Sequence, residues 1–187
     1  LRPRAVGNLG ALLVRTGRLT EAIPILEDTL KVKRAKYGDH HLTTLSTIND
    51  LGMVLSKSGS TQRALGLAQE AYDGRTEVLG EGDPRTITSL LNLANAHTRL
   101  GQPDEALTLL REGADRAKQR LGPEHPLTQN LRNTCAKTLL DSDHPQEAVQ
   151  EARAIINDLD PSDQAASLSK GLVARSIVST GLSAQGR

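Results

Sequence analysis

Few side chains in this sequence are spaced for bond-making chemistry. The histidines are His40, His41, His97, His125 and His144. None forms a His-x-x-x-His pair and no Glu-x-x-His motif occurs, so the spacing that sets two metal ligands on one helix face is missing. Asp39-His40-His41 makes only a weak loop cluster. Gly80-Glu81-Gly82 lacks the Lys-Ser/Thr pair and the preceding strand that a phosphate-cradling loop needs. There is no Gly-x-Ser-x-Gly elbow for a serine nucleophile. The single cysteine, Cys135, excludes an intramolecular disulfide and a multi-cysteine zinc site, and fits a reducing, cytoplasmic compartment. The expectation is a chain with no catalytic, metal-binding or cofactor-binding residues.

The polar chemistry that does recur suits recognition. Asparagines stand at Asn8, Asn49, Asn92, Asn95, Asn130 and Asn133, and cations at Arg15, Lys57 and Arg99, which are 42 residues apart. An amide can donate to and accept from a peptide backbone. Lys and Arg can pair with an acidic side chain or a C-terminal carboxylate. A second reading stays open: an Asn can bond a neighbouring helix or water, and a cation near a helix C-terminus is favoured by the dipole anyway.

Composition narrows the partner. The chain has 187 residues, 23 Lys+Arg against 22 Asp+Glu and a net charge of +1, so the strongly basic face of a nucleic-acid binder is not expected. Two Tyr with no Phe or Trp leave no platform for base stacking and no cage for methyl-lysine. No apolar run reaches membrane-spanning length and no charged-then-apolar leader comes first, so no membrane role is expected. Residue 1 is Leu rather than Met, which fits a piece excised from a longer protein.

The elements that must carry these side chains follow from a 42-residue self-match. Gly10 falls on Gly52, Ala94 and Ala136; Ala22 on Ala64, Ala106 and Ala148; Gly17 on Gly59, Gly101 and Asp143. Leu9, Leu51, Leu93 and Cys135 share a column, as do Thr44, Thr86 and Thr128. Leu100-Gly101 ends one helix, and Gln102-Pro103-Asp104-Glu105 starts the next with Pro in its first turn and acids at the dipole's positive end. Asp83, His125 and His41 read as helix caps. The pattern predicts first-of-pair helices at about 4–16, 43–58, 84–100 and 126–141, and second-of-pair helices at about 20–36, 61–79, 103–121 and 145–158. A shift of 38 then places the first helix of a fifth unit at about 163–181, with Ser183–Arg187 frayed. No segment alternates with period two, so no strand is expected. The chain reads as one array, with units 1–41, 42–83, 84–125, 126–160 and 161–187.

At Gly10, Ala22, Gly52, Ala64, Ala94, Gly101 and Ala106 the chain resembles the tetratricopeptide repeat. Leu121-Gly-Pro-Glu-His-Pro-Leu-Thr128, with Asn92-Leu93-Ala94, Gly101 and Glu105-Ala106, is similar to the kinesin-light-chain subclass. Asn8-Leu9-Gly10, Gly17 and Glu21-Ala22 follow the same pattern. The second unit departs at Asp50 and Arg63, the fourth at Thr134-Cys135-Ala136 and Asp143. Asp tolerates the left-handed turn that Gly makes elsewhere.

The resemblance implies an all-α, right-handed α-solenoid of antiparallel helix pairs. It also implies a concave face lined by first-of-pair helices, where a peptide or partner protein docks. The face would present Asn8, Ala11 and Arg15; Ser46, Asn49, Met53, Ser56 and Lys57; Thr88, Leu91, Asn92, Asn95, Thr98 and Arg99; and Asn130, Asn133 and Lys137. The functional expectation is a non-catalytic interaction scaffold. A second expectation is a regulatory or sensor arm of a larger bacterial signalling protein, such as a nucleotide-switch ATPase or a transcriptional regulator. Self-association through unpaired terminal helices is a third.

Overall fold

Three helices begin at a residue whose side chain caps them, and six end at or just before a residue with positive φ. The structure is a computed structural model and describes residues 13, 16–158 and 164–185. Among these residues there are eight α-helices and no strand: α1 (Leu19–Tyr37), α2 (Leu42–Lys57), α3 (Thr61–Leu79), α4 (Pro84–Arg99), α5 (Pro103–Leu121), α6 (Pro126–Asp141), α7 (Pro145–Asn157) and α8 (Gln164–Gln185). The first-of-pair helix expected at about 4–16 lies outside the described residues apart from its end.

The three candidate caps all act as caps. The Asp83 carboxylate accepts from the Arg85 N–H at 2.8 Å. His41 Nδ1 accepts from the Thr43 N–H at 3.2 Å, and His125 Nδ1 from the Leu127 N–H at 3.1 Å. These residues share one column of the repeat, so an imidazole and a carboxylate perform the same backbone task. Within pairs, the turns use positive φ at Gly17, Gly59 and Gly101, and at Asp143 (φ 63°). The N–H of the residue after the turn reaches back five residues at Arg18, Ser60 and His144, each 2.9 Å from its carbonyl.

The chain divides into two compact units, residues 1–100 and 101–187. In the first unit, Ile48, Leu51 and Leu55 of α2 and Ile87, Leu90 and Leu93 of α4 are buried. The small-residue columns let consecutive helices close up. Ala22 and Ala64 are buried, and a Cβ placed on Gly52 would meet the Leu67 Cβ at 3.4 Å. Each buried leucine contributes about 1.5–3 kcal/mol relative to exposure. In the second unit, Ala106, Ala136 and Ala148 are likewise buried, and α8 seats Ala174, Ile177 and Gly181 inward.

Two expectations change. Residues 183–185 are helical rather than frayed: the helix runs on through Gly171 and Gly181, and the Ser183 hydroxyl donates to the Ser179 carbonyl at 3.0 Å. Leu91 was placed on the polar stripe and is instead 6% exposed. Its apolar side chain packs inward, whereas the Asn side chains at Asn49 and Asn133, in the same column, stay half-exposed.

Candidate functional site

The small residues that draw helices together also leave a gap above them. Gly52 on α2, Ala64 and Ala68 on α3 and Ala96 on α4 floor a cavity of about 190 Å³. Asn49, Met53, Ser56 and Lys57 from α2 and Asn92, Asn95 and Arg99 from α4 complete its lining. Five of the candidate residues, Asn49, Lys57, Asn92, Asn95 and Arg99, are therefore brought to one place in the first unit. Asn130, exposed, and Asn133, half-buried, lie on α6 in the second unit. The Oδ1 of Asn133 is buried without a hydrogen-bond partner. Asn8 and Arg15 lie outside the described residues.

Asn92 Nδ2 donates to Asn49 Oδ1 at 2.9 Å, so this amide pair does bridge neighbouring helices. The Ser89 hydroxyl approaches the same oxygen at 3.4 Å. Beside it, the Asp50 carboxyl is held above its ordinary value. Crowding by the protein is the largest cause, although the side chain still reaches solvent; the charges of Arg75 and Lys33 and a hydrogen bond with Asn49 pull the other way. Lys57 and Arg99 end their helices as exposed cations.

A basic clamp behind this face went unnoticed in the sequence. Arg75 on α3 is only 6% exposed. Its guanidinium donates to the Arg85 carbonyl at 2.9 Å and to Ser89 Oγ at 2.8 Å, with Ser46 Oγ at 3.5 Å. One repeat earlier, Lys33 Nζ does the same with the Thr43 carbonyl (3.1 Å) and Thr47 Oγ (2.6 Å). One repeat later the matching positions are Ala117 and Leu131, both fully buried. The signal was in the alignment: a cation in one column accompanies a hydroxyl in another, and both turn apolar together.

The second unit carries its own departure. Arg132 occupies the column of Ile48 and Leu90. It is 7% exposed, and pairs through Nε with Glu151 (2.8 Å) and through a terminal nitrogen with Asp158 (2.5 Å). Lys118 adds a 3.5 Å contact to Asp158. Cys135 beside this network is buried, and burial above all pushes its thiol up to about 11. It therefore stays protonated near neutrality, as a small core residue in a leucine column does. Among the described residues no cluster of three or more His, Cys, Asp or Glu could hold a metal, and no helix is long and apolar enough to cross a membrane.

The same architecture recurs in known structures. TPR-like repeats from a Podosopora anserina protein assigned as a kinesin light chain match with a TM-score of 0.84 at 21% identity, over 99% of this chain and 87% of that one. BtubC (BKLC) from P. vanneervenii matches with a TM-score of 0.70 at 15% identity, over 96% and 75%. The APC/C hetero-tetramer Cut9–Hcn1 matches with a TM-score of 0.67 at 17% identity, over 93% of this chain and 29% of that one. No curated protein sequence matches. At these identities the likeness is one of fold, and it is kinesin-light-chain-like. The tetratricopeptide repeat family model itself matches three overlapping stretches, 2–77, 52–119 and 85–157. With the helix pairs, caps and small-residue columns repeating in the same register, the chain belongs to the tetratricopeptide repeat family.

Proposed function

We propose that this chain is a non-catalytic scaffold that holds an extended segment of a partner protein across the face shared by α2 and α4. Tetratricopeptide repeats are generally protein–protein interaction scaffolds, and one of the similar structures is a hetero-tetramer. The observation that carries the proposal is the cavity of about 190 Å³ lined by Asn49, Lys57, Asn92, Asn95 and Arg99. Its walls offer amides at the centre and two cations at one edge, which suits a peptide backbone flanked by a carboxylate. In the second unit, taken by itself, Asn130 and Asn133 are the residues proposed to contact a partner. The cavity holds no arrangement of nucleophile, base and orienting group, so binding rather than turnover is the reading offered.

The test is recovery of partners by the wild type and by a Lys57→Ala, Asn95→Ala, Arg99→Ala triple variant. These substitutions spare the Asn49–Asn92 bridge, so the thermal midpoint should hold. A partner captured by the wild type and lost from the variant supports the site. Equal recovery by both proteins removes it and leaves the fold untouched.

A further inference from the structure

In the first unit, α1 and α3 leave a groove between them that shares no lining residue with the α2/α4 cavity. It runs along α3 from Arg63 to Glu77, fourteen positions, about 21 Å. One end is a cavity of about 580 Å³ floored by Leu30, Leu51 and Leu67. The other is a cavity of about 490 Å³ walled by Asp39, Glu70, Asp73 and Glu77. Gly66 lines both. It lies inside α3, where glycine weakens a helix, and a Cβ placed on it would meet nothing within 4 Å. Neither a turn nor a close-packed neighbour calls for glycine there; its bareness keeps the two cavities joined.

The two ends differ in charge. At the apolar end Arg63 pairs with Glu27 at 2.6 Å, and Lys31 adds one positive charge. At the other end Arg34 is shared between Glu70 and Asp39, the latter at 2.9 Å, and His40 Nδ1 lies 2.9 Å from Glu77. Four carboxylates there face one guanidinium and one imidazole, so this end stays negative whichever form His40 takes. Asp39, Asp73 and Glu77 are all exposed to an incoming ion. Neither end recurs in the second unit. Eighty-four residues on, the columns of Leu30, Leu51 and Leu67 hold Ala114, Cys135 and Glu151, and the cavity there is about 300 Å³. The columns of Asp39, Glu70 and Asp73 hold Pro123, Ala154 and Asn157. The apolar floor and the acidic wall are lost together.

We propose that the α1/α3 groove is a second docking surface, for a partner segment that carries an apolar side chain and, about three residues away, a Lys or Arg. The apolar side chain lies on Leu30, Leu51 and Leu67, and the basic one among the carboxylates, where opposite charge draws it. The spacing follows from the helix: Leu67 and Asp73 are six positions apart on α3, about 9 Å, or about three residues of extended chain. Lys31 repels a basic group from the apolar end, which fixes the direction in which the segment lies. The proposal does not rest on the α2/α4 face.

The experiment is selection of peptides from a display library of random dodecamers on three immobilised proteins. The parent is the Lys57→Ala, Asn95→Ala, Arg99→Ala variant, in which the α2/α4 face is disabled. The other two add Gly66→Gln, which fills the groove, or Asp73→Asn/Glu77→Gln, which strips its acidic end. Gln is native to the Gly66 column at Gln150 and suits a helix better than Gly, and the two acids are exposed, so circular-dichroism melts of all three should agree. Binders of the parent should be enriched several-fold in Lys or Arg about three residues from Leu, Ile, Val or Met. The Gly66→Gln selection should lose this class. The Asp73→Asn/Glu77→Gln selection should keep the apolar preference and lower the basic one several-fold. A parent that yields no such class, or an equal yield of it on Gly66→Gln, overturns the docking surface. A basic preference unchanged on Asp73→Asn/Glu77→Gln overturns the chemistry assigned to its occupant. Either failure leaves the α2/α4 proposal standing, because that face is disabled in every protein used.

Discussion

Arg75 shows how much one side chain can carry in a fold built mostly of alanine and leucine. Its stem crosses from α3 to α4, and its head satisfies a carbonyl and a hydroxyl at a position almost closed to water. Bonds from a buried charged donor are stronger than neutral ones, and removing the donor leaves its acceptors dry. Arg75→Ala should therefore lower stability by about 2 kcal/mol in urea titrations. Arg75→Lys should keep more than half of that, because Lys33 already performs the equivalent task with one nitrogen. A lysine variant as weak as the alanine one would mean that the planar fork, rather than the charge, matters. The clamp was hard to see in advance because a lone basic residue on a helix reads as solvated. Only the partner column, Thr47, Ser89 and Leu131, gives it meaning. The cap column was legible because a cap is local: Asp83, His41 and His125 each act on the N–H two residues on. Asn92 was legible as a residue that matters, but its bond to Asn49 depends on how two helices are set against each other, which no spacing along one chain encodes.

At the level of elements, helix ends were the most readable features. Seven of the eight helices begin and end within about two residues of where caps, prolines and glycines put them. The exception in kind is the last helix, where Gly181 stands in the turn column and the helix nevertheless continues to Gln185. Left-handed turns give a sharp test of how well the fourth pair is made. Asp143 adopts φ 63°, where Gly17, Gly59 and Gly101 adopt 75°, 89° and 73°. A side chain in that region is strained even for Asp. Asp143→Gly should raise stability by about 0.5–1 kcal/mol, seen as a higher urea midpoint at unchanged slope. Loss of stability would show that the Asp143 side chain makes up for its own strain. The polar face was half legible. The stripe rule put Asn49 and Asn95 on one face with Asn92 beside it, and all three line one cavity; it misplaced Leu91 because periodicity reports direction from the axis and not depth beneath the neighbouring helix.

Across the whole molecule, individual carboxyls answer acid in opposite ways: Asp83 and Asp158 are shifted downward and Asp50 upward. In residues 101–187, burial raises the Asp158 carboxyl, but hydrogen bonds and charge from Arg132, then Lys118, outweigh it, and the net shift is downward. A carboxyl depressed in the folded state stabilises it above the unfolded value of about 3.9 and loses that contribution as pH falls below it. In residues 1–100, Asp50 is shifted upward, so its contribution grows as pH falls through that raised value. Wild type and Asp158→Asn should therefore differ in urea midpoint at pH 6 and draw together as the pH falls through the depressed folded value. A gap that persists at low pH would show that the Asp158 side chain acts through packing rather than charge.

The joint formed by Lys33 with Thr47 and by Arg75 with Ser89, with buried Ala117 and Leu131 in the same two columns, also bears on how such a chain can grow or shrink. Excising residues 42–83 would bring Lys33 before Ser89, a basic group facing a hydroxyl, and the seam would close. Excising 84–125 would bring Arg75 before Leu131 and strand a guanidinium in oil. Duplication and loss of units are thus permitted at some seams and forbidden at others, and shuffled genes of this type should keep the two halves of each seam together.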